Sequence, residues 1–351
     1  MTSEPEGLWN LARIITPKIL PDRFRCYPAP HLNPAWQQAE DSLGQWARQM
    51  RLVTNDESAA ILGSFKWGWL TAAMYPTMPV ADLCLLTQWH CAMALPNDLA
   101  DCPGALDDRD AIARMSRAML DSLAPGRPQS PIPAARAFGD LWHRTAPGRP
   151  IGWQERATLG IALWVNQFAP QAEARPIRRA FTLDDYLDMR RSSVGLDMNA
   201  DILEGVLRLD IPEAVFSTDV VRKLKSAWID VNAWAKDLYS YPREQTYQQN
   251  PHNLVAVLAS HSLTETAAIT KTLSMLLQRA EEFLRLERLL PELVRSADQP
   301  GQVLEALNTY ASALKSYTYG HFMWVSQTSR YTGGHLHTEA EFTSIMPSTT
   351  P

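Results

Sequence analysis

From Pro34 onward the apolar residues of this 351-residue chain recur close to every 3.6 positions, and nowhere do they alternate over the length of a strand. Trp36, Ala39, Leu43, Trp46 and Met50 trace one such face, and comparable runs cover 134–144, 154–168, 253–259, 265–290 and 303–327. Polar starts precede several of them: Asn55 or Ser58, Thr182 or Asp184, and Ser217 or Thr218. A chain patterned this way buries helix stripes against one another and has no sheet to build on. The expectation is an all-α fold of about a dozen helices of ordinary length.

The first 33 residues break the pattern. ILPDRFRCYPAPHLNP reads as an extended, Pro-rich strap, because the residue before each Pro avoids helix. Residues 34–335 are expected to form one helical domain, and 336–351 a polar tail. No Pro/Gly/Ser stretch separates two self-sufficient halves. Hydrophobic residues make up 46% and charged residues 20%, which suits a globular core and excludes global disorder. A net charge of -5 without a basic block argues against nucleic acid as a partner. The N-terminus lacks the apolar core of a signal peptide, and no apolar run spans a bilayer, so a soluble cytoplasmic protein is expected. The four cysteines have no metal-like spacing; Cys84 and Cys91 read as core thiols in a reducing compartment.

Chemistry concentrates in VNAWAKDLYSYPREQTYQQNPHN, residues 231–253. Asn232, Lys236, Ser240 and Glu244 are four apart and share a helix face, among Trp228, Trp234, Tyr239 and Tyr241. Such a stripe is costly to bury without partners. Ser240 and Glu244 carry oxygen ligands suited to a hard divalent cation, whereas the Lys236 ammonium has no lone pair to offer one. Upstream, Asn97, Asp98 and Asp101 follow a long apolar run, with Pro96 expected to kink or end that helix. Asp107, Asp108 and Asp110, like Asp184 and Asp185, read as helix-start charge. Asp197, Asp201 and Glu204 form a further acidic face, read first as a solvated stripe and otherwise as support behind the metal ligands.

Taken together these motifs resemble those of class I terpene synthases, most of all in DLYSYPREQ…HN the sesquiterpene synthases of fungi. That family carries Asn-Asp-x-x-Ser-x-x-x-Glu on one helix and Asp-Asp/Glu-x-x-Asp on another, which together bind three Mg2+ ions. The resemblance implies a single-domain helical bundle around a central apolar cavity. It implies metal ligands at Asn97, Asp98, Asp101, Ser240 and Glu244. Arg191, four residues before the helix-breaking Gly195, corresponds to the family's diphosphate-sensing Arg, and Gly195 to the residue whose carbonyl helps trigger ionisation. Arg190 is the other candidate of that pair. Arg330 and Tyr331, preceded by Trp324, match its last diphosphate-binding pair and cavity-lining Trp; Arg243 matches a further diphosphate contact.

The implied activity is Mg2+-dependent ionisation and cyclisation of a prenyl diphosphate, farnesyl diphosphate foremost, to a sesquiterpene. The protein would act as a monomer or homodimer. The chain departs from the family at Asn97, where an Asp is usual, and at Lys236, where an Asn is usual. These changes make the site more positive by two charges, so Lys236 is expected at the diphosphate and fewer than three ions suffice. The alternative is a protein of this fold that acts on a non-diphosphate terpenoid, transfers a prenyl group to another nucleophile, or only binds a terpenoid. Phe65, Trp67, Trp69, Trp89, Trp164 and Phe168 are candidates for the apolar cup, each more simply read as core.

Overall fold

A computed structural model describes residues 16–24, 32–100, 109–127, 129–170, 181–244, 252–295 and 297–330; the side chains of 97–100, 109 and 243 lie outside the description. All regular structure among them is helical. In chain order the helices are α1 (Trp36–Gln49), α2 (Asp56–Ser64), α3 (Trp67–Met74), α4 (Val80–Ala100), α5 (Arg109–Asp121), α6 (Pro133–Thr145), α7 (Ile151–Val165) and α8 (Leu183–Ser193). There follow α9 (Leu196–Val206), the single turn α10 (Glu213–Phe216), α11 (Asp219–Arg243), α12 (Leu254–Ser260), α13 (Glu265–Glu287), the short α14 (Leu290–Leu293) and α15 (Pro300–Trp324). Two 3-10 turns, Pro17–Ile19 and Asp22–Phe24, precede them in the Pro-rich lead-in.

Local chemistry accounts for some of the starts but not for that of α11: Thr218 stands at its N-cap, yet the Thr218 and Ser217 hydroxyls donate back to the Val215 and Glu213 carbonyls and neither caps the helix. Asn55 caps α2 by accepting from the Ser58 backbone, while the Ser58 hydroxyl accepts from the Asn55 backbone, so both candidate residues act as one capping box. The Thr182 hydroxyl accepts from the Asp185 amide at the entry to α8. Asp110, Asp184 and Asp185 stand in first turns, where the helix dipole favours them. Pro96 does not end α4: the helix continues through it to Ala100, as a helix can when neighbouring packing outweighs one lost donor.

The described residues fall into two compact units. One comprises 32–170 and 192–209. There α1, α3 and α4 pack on one another, α5 packs on α6, and α9 lies against α7. Its core is aromatic: Trp89 meets Phe138 edge-on at 5.5 Å, Phe138 stacks on Trp164 at 5.8 Å, and Trp164 meets Phe168 at 4.8 Å. Trp89 also donates to the Thr145 hydroxyl at 2.9 Å. Trp89, Trp164 and Phe168 thus serve one another as core, with the close ring contacts that aromatic pairs favour. Cys91 is a buried free thiol and Cys84 a half-buried one. The acidic face at 201 and 204 is not solvated: Asp201 and Glu204 are buried and paired with Arg156 of α7.

The second unit comprises 16–24, 181–191 and 210–330. Its centre is α11, which packs on α13, α12 and α15. Two observations fix how α11 and α15 run. The Trp228 indole donates to the Leu314 carbonyl, and the Asn232 amide donates to the Thr318 hydroxyl, both with the same sequence offset. The two helices therefore lie parallel, turn beside turn.

Candidate active site

The stripe on α11 is buried for most of its length. Asn232, Ser240 and Glu244 are all at most 5% exposed, and Lys236 is half-buried. The Ser240 hydroxyl donates back to the Lys236 carbonyl at 2.8 Å, as helical serines do, which leaves its lone pairs for a ligand. The Glu244 Oε2 accepts from the Asn253 side-chain amide at 2.9 Å. Asn253 also donates to the Asp237 carbonyl at 2.8 Å and caps α12 by accepting from Val255. The start of α12 therefore holds the end of α11 in place, and with it the Glu244 carboxylate.

Beneath the stripe, one residue around the helix, Asp237 is a buried hub. It accepts from the Tyr186 hydroxyl, from Arg190 through Nε at 3.1 Å and Nη2 at 2.8 Å, and from the Leu254 amide at 3.1 Å. Burial and then the Asp237 charge push the Tyr186 phenol well above its usual pKa, so it stays a donor. Burial opposes the charge on Arg190, but Asp237, Tyr186 and Glu244 outweigh it and raise its pKa. Arg191, the neighbour, takes a bidentate grip on Asp230, with both bonds at 2.9 Å; Arg279 pairs with the same carboxylate at 2.8 Å. The Arg191–Asp230 hydrogen bond raises the pKa of Arg191, and partial burial opposes the rise.

The other expected residues are placed as follows. Gly195 breaks the chain between α8 and α9 with φ +75, and a Cβ there would lie 2.9 Å from the Trp164 indole nitrogen. A left-handed backbone against a tryptophan is a place for Gly. Asn97 and Asp98 occupy the last turn of α4 by backbone; their side chains, and Asp101 altogether, lie outside the described residues. Arg243 ends α11, with its side chain likewise outside. Trp324 and Arg330 are buried, the Arg330 amide donating to the Thr328 hydroxyl at 3.1 Å, while Tyr331 lies outside the described residues.

Asp237, Tyr186 and Asn253 escaped the sequence reading as functional positions, because their partners come from 9 to 51 residues away. A further residue that sequence reasoning missed is His321 on α15. It stands among Tyr239, Tyr317, Phe322 and Trp324, with ring centroids 6.0–6.4 Å away. Burial, and then the Lys236 charge, lower its pKa to about 4, so its imidazole is neutral near pH 7.

Ser240 and Glu244 give a hydroxyl and a carboxylate oxygen one turn apart, a donor set that fits a hard divalent ion. Lys236 puts a cation where a third ligand would stand. Among the described residues no three His, Cys, Asp or Glu side chains form a metal cage by themselves.

Residues 88–282 match the family described as terpene synthase family 2, C-terminal metal binding. Pentalenene synthase of Streptomyces avermitilis is 24% identical over 301 residues, which cover 85% of this chain and 89% of that protein. (2Z,6E)-hedycaryol synthase of Kitasatospora setae is 27% identical over 343 residues, 92% of this chain and 95% of that one. Among solved structures, a-eudesmol synthase superposes with a TM-score of 0.75 at 20% identity, covering 85% of this chain and 96% of that one. The linalool/nerolidol synthase of Streptomyces clavuligerus superposes with a TM-score of 0.74 at 23% identity, covering 85% and 98%.

Proposed function

The chain belongs to the terpene synthase family, and from that membership we propose that it ionises farnesyl diphosphate in the presence of Mg2+ and closes the resulting cation to a sesquiterpene. The observation that carries the reading is the buried stripe on α11. Within the segment that matches the family, Ser240 and Glu244 keep their oxygens presented while Asn253 and Asp237 hold the helix end in register. The relatives named above are by name a pentalenene synthase and a hedycaryol synthase, and each matches most of this chain's length.

Ser240 and Glu244, with Asp98, Asp101 and the Asn97 carbonyl, would hold the divalent ions. Bound there, they would supply the Lewis acidity that lets the diphosphate leave. The remaining work falls to the chain. The Lys236 ammonium, on the same face as Ser240, neutralises part of the diphosphate as a fixed charge. Arg243, Arg330 and Tyr331 bind its oxygens, Arg through its planar fork, while Arg191, whose Nε and Nη2 are held by Asp230, has its Nη1 edge left for them. As the C–O bond breaks, its electron pair leaves with the diphosphate and an allylic cation remains. Trp324 and neighbouring rings offer π-faces to that cation and keep bulk water away. Arg190, buried on Asp237, steadies the ligand helix from behind.

The test is incubation of purified protein with geranyl, farnesyl and geranylgeranyl diphosphate, with and without Mg2+, followed by gas chromatography–mass spectrometry. A Mg2+-dependent cyclic terpene from farnesyl diphosphate is expected. A folded protein that releases diphosphate from none of the three would overturn the reading and leave terpenoid binding without ionisation, the outcome that Lys236 favours.

A further inference from the structure

Two buried polar atoms on the α11–α15 pairing have no hydrogen-bond partner among the described residues: Asn232 Oδ1 and His321 Nδ1. The rest of Asn232 is fully engaged. Its amide nitrogen donates to the Trp228 carbonyl and to the Thr318 hydroxyl, each at 2.9 Å, which fixes which end of the side chain is oxygen. The residue is 1% exposed. The parallel register of the helices, in which 232 lies beside 318, sets His321 level with the turn of Lys236. Asn232 stands one turn before Lys236 and two before Ser240. At 1.5 Å per residue it lies about 12 Å along the helix from Ser240.

An unpaired amide oxygen and an unpaired ring nitrogen are costly to bury, because neither recovers the hydrogen bonds it had in water. Ligating the ions at Ser240 would not relieve them, because along the helix pairing Asn232 lies two turns and His321 more than one turn from Ser240. What suits them is a small molecule with both O–H donors and lone pairs. We infer that Asn232 and His321 hold the water that quenches the terminal carbocation, so that the product is a terpene alcohol; this rests on the cyclase reading above. The water oxygen gives a lone pair to the cation and forms the C–O bond. The surplus proton of the resulting oxonium passes to Nδ1 of His321, and from there to solvent. The proton acceptor must be neutral beforehand, and burial, with the Lys236 charge second, keeps it so. Asn232 is the positioning residue, as its carbonyl accepts one O–H and turns a lone pair towards the hydrocarbon.

Incubation with farnesyl diphosphate in 18O-labelled water tests the inference, with diphosphate release and products followed together. The expected result is an alcohol carrying one 18O atom as the main product of the wild-type protein. Asn232→Leu and His321→Phe, separately, should lower the ratio of alcohol to hydrocarbon at least tenfold, whatever they do to total turnover. A merely structural role would change turnover and leave the ratio alone, which would overturn the inference. Diphosphate release with only hydrocarbon products from the wild type would also overturn it while leaving the cyclase reading intact. No release from the folded wild type would remove both.

Discussion

Lys236 shows how one residue can change the charge of a site. Ser240 and Glu244 remain oxygen donors on its face, yet the position one turn before Ser240 carries a permanent positive charge. A lysine is a compact point charge that cannot ligate a metal. If it supplies part of the neutralisation that an ion would give, the rate should depend less steeply on Mg2+ concentration. Lys236→Asn restores a carbonyl ligand and removes the charge. Diphosphate release titrated with Mg2+ should then rise more steeply for the variant than for the wild type; equal steepness would assign Lys236 no part in neutralisation. A different residue governs stability. Glu40 of α1 accepts from the Gly68 and Trp69 amides at the start of α3, whose own N-cap, Lys66, makes no side-chain bond. Burial raises the Glu40 pKa from 4.5 to about 7 against those bonds. The folded state therefore holds the proton more tightly than the unfolded one. This contribution is fully present below pH 4.5 and is lost as pH rises through 7. Urea midpoints at pH 5 and pH 8 should show Glu40→Gln gaining on the wild type at the higher pH.

At the scale of the element, α11 was the most legible helix and the least complete. Its four-residue spacing put Asn232, Lys236, Ser240 and Glu244 on one face from sequence alone, and they lie there. What holds the face in place was not legible, because Asp237 gathers Tyr186 and Arg190 from one distant stretch of chain and Leu254 from another. Periodicity reports which side of a helix is buried, not which distant side chains meet it. The same limit explains Pro96: a local rule expected a break, and packing carried α4 on to Ala100. Asp237 is where α8, α11 and α12 are fastened together. Asp237→Ala would leave Arg190 charged and buried without its carboxylate, a loss of about 3–5 kcal/mol. Chemical denaturation should show it as a shifted midpoint. Arg190→Met with Asp237→Leu should recover only the part of that loss due to the buried pair, since the Tyr186 hydroxyl and the Leu254 amide stay without their acceptor.

Over the whole molecule, the all-α class followed from the absence of strand alternation, a property of the full chain rather than of any motif. No helix among the described residues is long and apolar enough to cross a membrane. The distribution of charge carries one consequence that no single helix does. The chain is net negative, at -5, yet the stretches that matter here bring Lys236, Arg191, Arg243 and Arg330 to the diphosphate reading. A ligand that binds only the folded state raises its stability by RT ln(1 + [L]/Kd), about 2.7 kcal/mol at a hundredfold excess over Kd. For a chain of this size that is a rise of roughly 3–5 °C in melting temperature, since larger domains shift less per kcal/mol. Thermal melts with inorganic diphosphate alone, Mg2+ alone and both together should therefore separate the sources of positive charge. If cationic side chains carry part of the load, diphosphate alone raises the melting temperature measurably, and Mg2+ adds to that rise while doing little by itself. Stabilisation seen only with both ligands would mean that the ions carry the whole of the neutralisation, and that Lys236 takes the place of a ligand without taking over the work of a metal.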